Sequence, residues 1–205
     1  MRLKESAKEF GSLKSLVAMA MLLALRLALG FVTTVQVTEN LKIGFTIFPT
    51  TVACMLFGPV AGAVMGGTAD ILGLMLKPTG PFFPGYTLDS MVAGFIYGYS
   101  FYKREKLTVV RVALTLATVT VLVNLCMTTS WICIQYGVKD FSLFFSDSAA
   151  AWQSFFAKFR AIFWGRAIKN ACLYPVNTIG VYFLLNAVRR VPVLREYMKR
   201  SGTKA

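Results

Sequence analysis

Histidine is absent from all 205 residues. That excludes histidine-based catalytic triads, zinc sites resting on imidazole and histidine proton relays. Charge is also scarce: Asp, Glu, Lys and Arg make up 15% of the chain, well short of the quarter or so found in soluble domains. There is no G-x-x-x-x-G-K-[ST], so any work driven by nucleotide hydrolysis needs an ATPase on another chain. D-x-x-x-D, H-E-x-x-H and G-x-S-x-G are missing too, which argues against a membrane enzyme acting on lipid or isoprenoid substrates. The four cysteines, Cys54, Cys126, Cys133 and Cys172, form no C-x-x-C pair and lie in apolar stretches, the pattern of buried thiols.

What is present is apolar surface. Hydrophobic residues make up 56% of the chain and mean hydropathy is +0.61. A helix crossing a hydrocarbon core of roughly 30 Å needs about 20 apolar residues, so the chain has room for about six or seven spans. Residues 1–205 therefore read as a single all-α integral membrane domain. The net charge of +13 would suggest nucleic acid in a soluble protein; here it points to cytoplasmic loops, with the lipid bilayer as partner and no nucleic acid.

Six apolar segments are expected to span, at 13–31, 43–57, 59–76, 86–102, 108–136 and 161–188. The second and third are nearly continuous across Phe57, Gly58 and Pro59, and the fifth is long enough to tilt or break. Of the 22 cations, 14 fall in three clusters, at residues 2–14, 103–111 and 189–204. The positive-inside rule then makes both termini and the link between spans four and five cytoplasmic. A short cytoplasmic helix is expected before span one, because no A-x-A cleavage site ends its apolar run. The links at 32–42, 77–85 and 137–160 then face outward. The second is an ordered turn rich in Pro and Gly, and the third carries an interfacial amphipathic helix around Phe141 to Phe156.

Small residues recur at helical spacing. Ala20, Ala24 and Ala28 strip one stripe of span one of side chains, and Gly58, Gly62, Gly66, Gly94 and Gly98 are spaced for close helix contact. Internal packing explains the glycines. The alanines face either the bundle or a partner, and Arg26, about 200° round the helix from Ala24, favours an outward stripe if it points inward itself.

Ionisable residues inside spans are costly and face the bundle interior or a watery cavity. Arg26, Asp70, Asp89, Arg166 and Lys169 all fall in the outer half under this topology, which points to one polar site open to the outside. Arg166, Lys169 and Asn170 share a helix face, where two cations repel unless an anion joins them or Asp70 and Asp89 pair with them. Phe82, Phe83, Tyr86, Trp131 and Trp164 offer flat faces for an aromatic ligand, or else form a lipid-facing belt. No cofactor and no metal are expected.

The runs Arg26-Leu-Ala-Leu-Gly-Phe31, Thr38-Glu-Asn-Leu-Lys-Ile-Gly-Phe-Thr46, Phe57-Gly-Pro-Val-Ala-Gly62, Ala69-Asp-Ile-Leu-Gly73 and Lys77-Pro-Thr-Gly-Pro-Phe-Phe-Pro-Gly85 resemble the substrate-binding S component of energy-coupling factor (ECF) vitamin transporters, most closely the folate-specific branch. The resemblance is dense over 15–104 and looser beyond. It implies capture of folate outside a bacterial cytoplasmic membrane by a multi-pass chain, which then topples in the membrane on a separate coupling subunit driven by two ATPase subunits. It also makes the alanine stripe the docking surface for that subunit. Folate suits the embedded charges, since its pterin edge can give two hydrogen bonds to a carboxylate, Asp70 in preference to Asp89, and its glutamate tail calls for cations. An S component for riboflavin, thiamine or a pterin precursor remains the alternative.

Overall fold

A computed structural model of the chain describes residues 6, 12–32, 35–38, 41–43, 45–78, 82–102, 104, 107–137 and 149–191. Outside the described residues lie the expected N-terminal helix apart from Ser6, residues 79–81 of the turn at 77–85, residues 138–148 of the link at 137–160 and the C-terminal cations beyond 191.

Among the described residues the architecture is all-helical, as expected, with one short hairpin added. Helix α1 (Leu13–Val32) leads into strands β1 (Val35–Thr38) and β2 (Leu41–Ile43), which pair antiparallel with Val35 opposite Ile43 and Gln36 opposite Lys42. Then come α2 (Ile47–Leu76), α3 (Pro84–Phe101), α4 (Val109–Thr118), a π-helical stretch over Val119–Met127, α5 (Thr128–Gly137) and α6 (Ala149–Arg190). Four apolar runs are long enough to cross a membrane, at Leu13–Phe31, Ile47–Leu76, Val109–Gln135 and Phe159–Arg190. These four runs do not by themselves delimit the six expected segments. Segments 43–57 and 59–76 share α2 because no polar link divides them.

The division within α2 is conformational. Gly58 has φ 88° and ψ −170°, a left-handed geometry that suits glycine, and Pro59 follows with a φ suited to a helix's first turn. In a straight helix, residues 54 and 62 would lie about 12 Å apart along the axis. Here the Cys54 thiol lies 2.7 Å from where a Gly62 side chain would begin, so α2 folds back sharply on itself. The second limb starts without a capping side chain of its own, and Ser6 supplies one from far away in sequence. Its hydroxyl donates to the Phe57 carbonyl at 2.7 Å and accepts from the Val60 and Ala61 N–H groups at 3.1 and 3.4 Å. Such caps are worth about 1 kcal/mol. A side chain at residue 58 would collide with the same hydroxyl, so the left-handed geometry and the cap both require glycine there.

The glycine series are internal packing. Gly62 meets Gly94, Gly66 meets the Ser90 carbonyl and Gly98 meets Pro59, so α2 and α3 touch backbone to backbone and form the most extensive helix contact among the described residues. Lipid is as apolar as leucine, so this closeness, with its dense van der Waals contact, replaces the hydrophobic driving force of a soluble core. Around it Met55, Phe57, Phe101, Val112, Val181 and Leu185 are fully enclosed.

The long fifth segment neither breaks nor needs a loop. It runs from Val109 to Gly137 as α4, the π-helical stretch and α5, with the Thr128 N–H bonded to the Val123 carbonyl five residues back. Helix α6 begins at Ala149, so residues 149–156 of the expected interfacial helix are the first turns of a 42-residue rod.

Candidate functional site

Five segments converge on a cavity of about 380 Å³, within the usual range for small-molecule sites of about 300–1,000 Å³. Its lining includes Arg26 from α1, Thr46 and Ile47 at the start of α2, Thr50 and Asp70 further along it, and Tyr86, Asp89, Ser90, Ala93, Gly94 and Tyr97 from α3. Val119, Val123, Asn124 and Thr128 close it from the π-helical stretch and the start of α5. Bonding from each residue to the fifth behind it widens the turn beyond about 3.6 residues, so positions four or five apart share one face. A regular helix would have set Asn124 and Thr128 together on roughly the opposite side from Val119 and Val123.

The two carboxylates are held differently. Asp70 is half-buried, and its Oδ2 accepts from the Thr87 hydroxyl at 2.8 Å. Asp89 is 6% exposed, with both oxygens engaged: Oδ2 accepts from Thr128 Oγ1 at 2.6 Å and Oδ1 from Trp131 Nε1 at 2.9 Å. Neither forms an ion pair with Arg166. That guanidinium donates from Nη2 to the Asn124 carbonyl at 3.1 Å, on the back of the cavity wall, while its buried Nε has no partner among the described residues. Arg26 is half-buried on the lining, and Ala20, Ala24 and Ala28 on the same helix are exposed.

Of the residues singled out from the sequence, Arg26, Asp70, Tyr86 and Asp89 come together on the lining. Trp131 and Arg166 stand one contact behind it, through Asp89 and Asn124. The rest fall outside it. Phe82 is 56% exposed before α3, and Trp164 is 62% exposed on α6. Lys169 is half-buried and Asn170 donates to the Arg166 carbonyl within its own helix, so neither reaches the lining. Tyr86 donates to Gln135 at 2.8 Å, and Phe83 packs against both Tyr86 and Trp131 with centroids 5.7 Å apart, an aromatic group tying α3 to α5.

Sequence reasoning missed Thr46, Thr50, Ser90, Tyr97, Asn124 and Thr128 on the lining. Asn124 had a usable signal, as the only amide in the apolar stretch 109–127. The threonines had none, because hydroxyls within apolar helices usually bond the preceding turn, as Thr50 does to the Thr46 carbonyl. Among the described residues no group of three His, Cys, Asp or Glu side chains is placed to hold a metal ion.

The family described as ECF transporter, substrate-specific component, matches residues 14–186. The folate transporter FolT of Clostridium novyi (strain NT) is 33% identical over 162 residues, which cover 79% of this chain and 83% of that protein. The folate transporter FolT of Leuconostoc mesenteroides subsp. mesenteroides is 27% identical over 173 residues, covering 84% and 85%. A solved structure, the crystal structure of FolT bound with folic acid, matches with a TM-score of 0.70 at 33% identity, covering 86% of this chain and 96% of that one. The chain is thus a membrane protein of the ECF transporter family, a substrate-specific component and not an enzyme.

Proposed function

We propose that this chain is the folate-binding S component of an ECF transporter in a bacterial cytoplasmic membrane. The observation that carries the reading is the likeness, at 33% identity and a TM-score of 0.70, to a FolT whose structure holds folic acid. The cavity's chemistry supports it. Folate's pterin presents adjacent donors that a carboxylate receives, and Asp70 on the lining has a single hydrogen bond among the described residues, to Thr87. Arg26 offers a cation on the same surface, and Arg166, one contact behind the lining at the Asn124 carbonyl, is the proposed holder of a tail carboxylate, with Lys169 one turn on along α6 as the second cation although it stands off the lining.

Six crossings with cytoplasmic termini are the proposed topology. The fold-back at Gly58 supports counting two limbs in α2, and α3 supplies a further crossing. The first limb, Ile47–Phe57, is only about 16 Å long. Its start at Thr46 and Ile47 already lines the cavity, where non-helical backbone is tolerated at membrane depth. A separate coupling subunit, meeting the exposed alanine stripe of α1, and two ATPase subunits complete the transporter. Toppling of this chain against the coupling subunit delivers folate inward.

Titration calorimetry on the purified chain in detergent tests the substrate. Folate is expected to bind without nucleotide or partner subunits. Binding of riboflavin, thiamine or biotin in place of folates would overturn the substrate and leave the family standing.

A further inference from the structure

Asp89 lies on the cavity lining, yet both of its oxygens already have donors from the rod formed by the π-helical stretch and α5. One donor, Thr128, is the first residue after the π-helical stretch; the other, Trp131, lies one turn on. The carboxylate thus pins that rod to α3 where the wider turn brings Asn124 and Thr128 onto the cavity. The indole is also gripped elsewhere. Phe83 packs against it, and Gly85 leaves it room, since a side chain there would begin 2.6 Å from the Trp131 ring.

We propose that Asp89 is a positioning residue which holds the π-helical wall of the cavity through its hydrogen bonds to Thr128 and Trp131, and is not a ligand carboxylate. The proposal rests on the folate reading for its affinity measurements and goes beyond it in dividing the two aspartates by role. A buried carboxylate already accepting two hydrogen bonds, one of them 2.6 Å long, would have to give these up to receive a pterin edge. Asp70 would not, because among the described residues its only donor is Thr87, on one oxygen.

The division has a chemical signature in the amide variant. In Asp89→Asn the side-chain oxygen still accepts from Trp131 Nε1, and the new NH2 donates to Thr128 Oγ1. The Thr128 hydroxyl then gives its single proton to the Val123 carbonyl, which is already 3.0 Å away. Both links survive without the charge. Asp89→Ala removes both.

The test measures folate affinity by calorimetry and Trp131 emission in a background where Trp152 and Trp164 are replaced by Phe. Asp89→Asn is expected to stay within about threefold of the parent's affinity, while Asp89→Ala falls by about tenfold or more. In the ligand-free protein, Asp89→Ala shifts the Trp131 emission maximum and Asp89→Asn leaves it in place. A loss of about tenfold or more in Asp89→Asn overturns the proposal, and so does an Asp89→Ala protein that binds folate like its parent. Should Asp89→Ala fail to fold, Asp89→Asn alone decides, since the ligand and positioning roles demand opposite results from it. If the parent itself binds no folate, the substrate reading has failed. The emission comparison still tests the links to Trp131.

Discussion

Adding one methyl group at Gly62 tests whether the α2–α3 seam sets the shape of the cavity. A Cβ there would stand 2.6 Å from the Gly94 carbonyl oxygen and 2.7 Å from the Cys54 thiol, where ordinary contact begins at 3.4 Å. The obstacle is backbone, so Gly62→Ala must part the helices by up to the difference, 0.8 Å. Overpacking of this kind costs about 1–3 kcal/mol. Alanine's better helix propensity returns about 1 kcal/mol, leaving a net loss of about 0–2 kcal/mol. The functional effect is sharper. Gly94 lines the cavity, and the Thr87–Asp70 hydrogen bond crosses the same seam at 2.8 Å. Carrying the full 0.8 Å into that bond gives 3.6 Å, no longer a hydrogen bond. Asp70 would lose its orienting partner, and folate affinity should fall by about tenfold, the worth of one hydrogen bond to a charged group. Gly165→Ala is the control, because a side chain there meets nothing within 4 Å and should leave melting temperature and affinity unchanged or raise the former slightly. The assays are thermal unfolding in detergent and calorimetry. A Gly62→Ala protein that melts and binds folate like the parent would refute the reasoning, since the seam would then tolerate a side chain.

Two further predictions concern the ends of the ligand and the coupling face. Arg166→Ala should weaken folate by about 2–5 kcal/mol while a pterin lacking the glutamate hardly notices, whereas Asp70→Asn should penalise both ligands alike. Calorimetry with the two ligands checks this, and equal losses in Arg166→Ala would make that residue a support for the wall through the Asn124 carbonyl. Ala24→Leu should abolish uptake and co-purification with the coupling subunit and leave folate binding intact, because Ala24 is exposed on the helix that carries Arg26. Loss of folate binding in Ala24→Leu would place the stripe inside the bundle.

Much of this protein is decided by local, additive properties that a sequence carries openly. Its apolar composition makes it a membrane protein, and helical spacing alone sets Arg26 and the Ala20, Ala24 and Ala28 stripe on different faces of α1. The glycine spacing likewise marks the seam that α2 and α3 form. The hairpin at 35–43 was legible in principle, since Val-Gln-Val-Thr and Leu-Lys-Ile alternate with the period of a strand. Only the tertiary structure decided the rest. Whether Gly58 is a boundary between helices or a kink depends on Ser6 and Tyr102 packing against it from distant parts of the chain. The π-helical stretch has no composition of its own, so its wider turn, and with it the places of Asn124 and Thr128, follows from contacts with α3 and α6. The same holds for the aspartates. Sequence puts Asp70 and Asp89 in apolar helices, but which one still has room for a ligand depends on donors 17 residues away for Asp70 and 39 and 42 away for Asp89, brought within reach only when the helices pack.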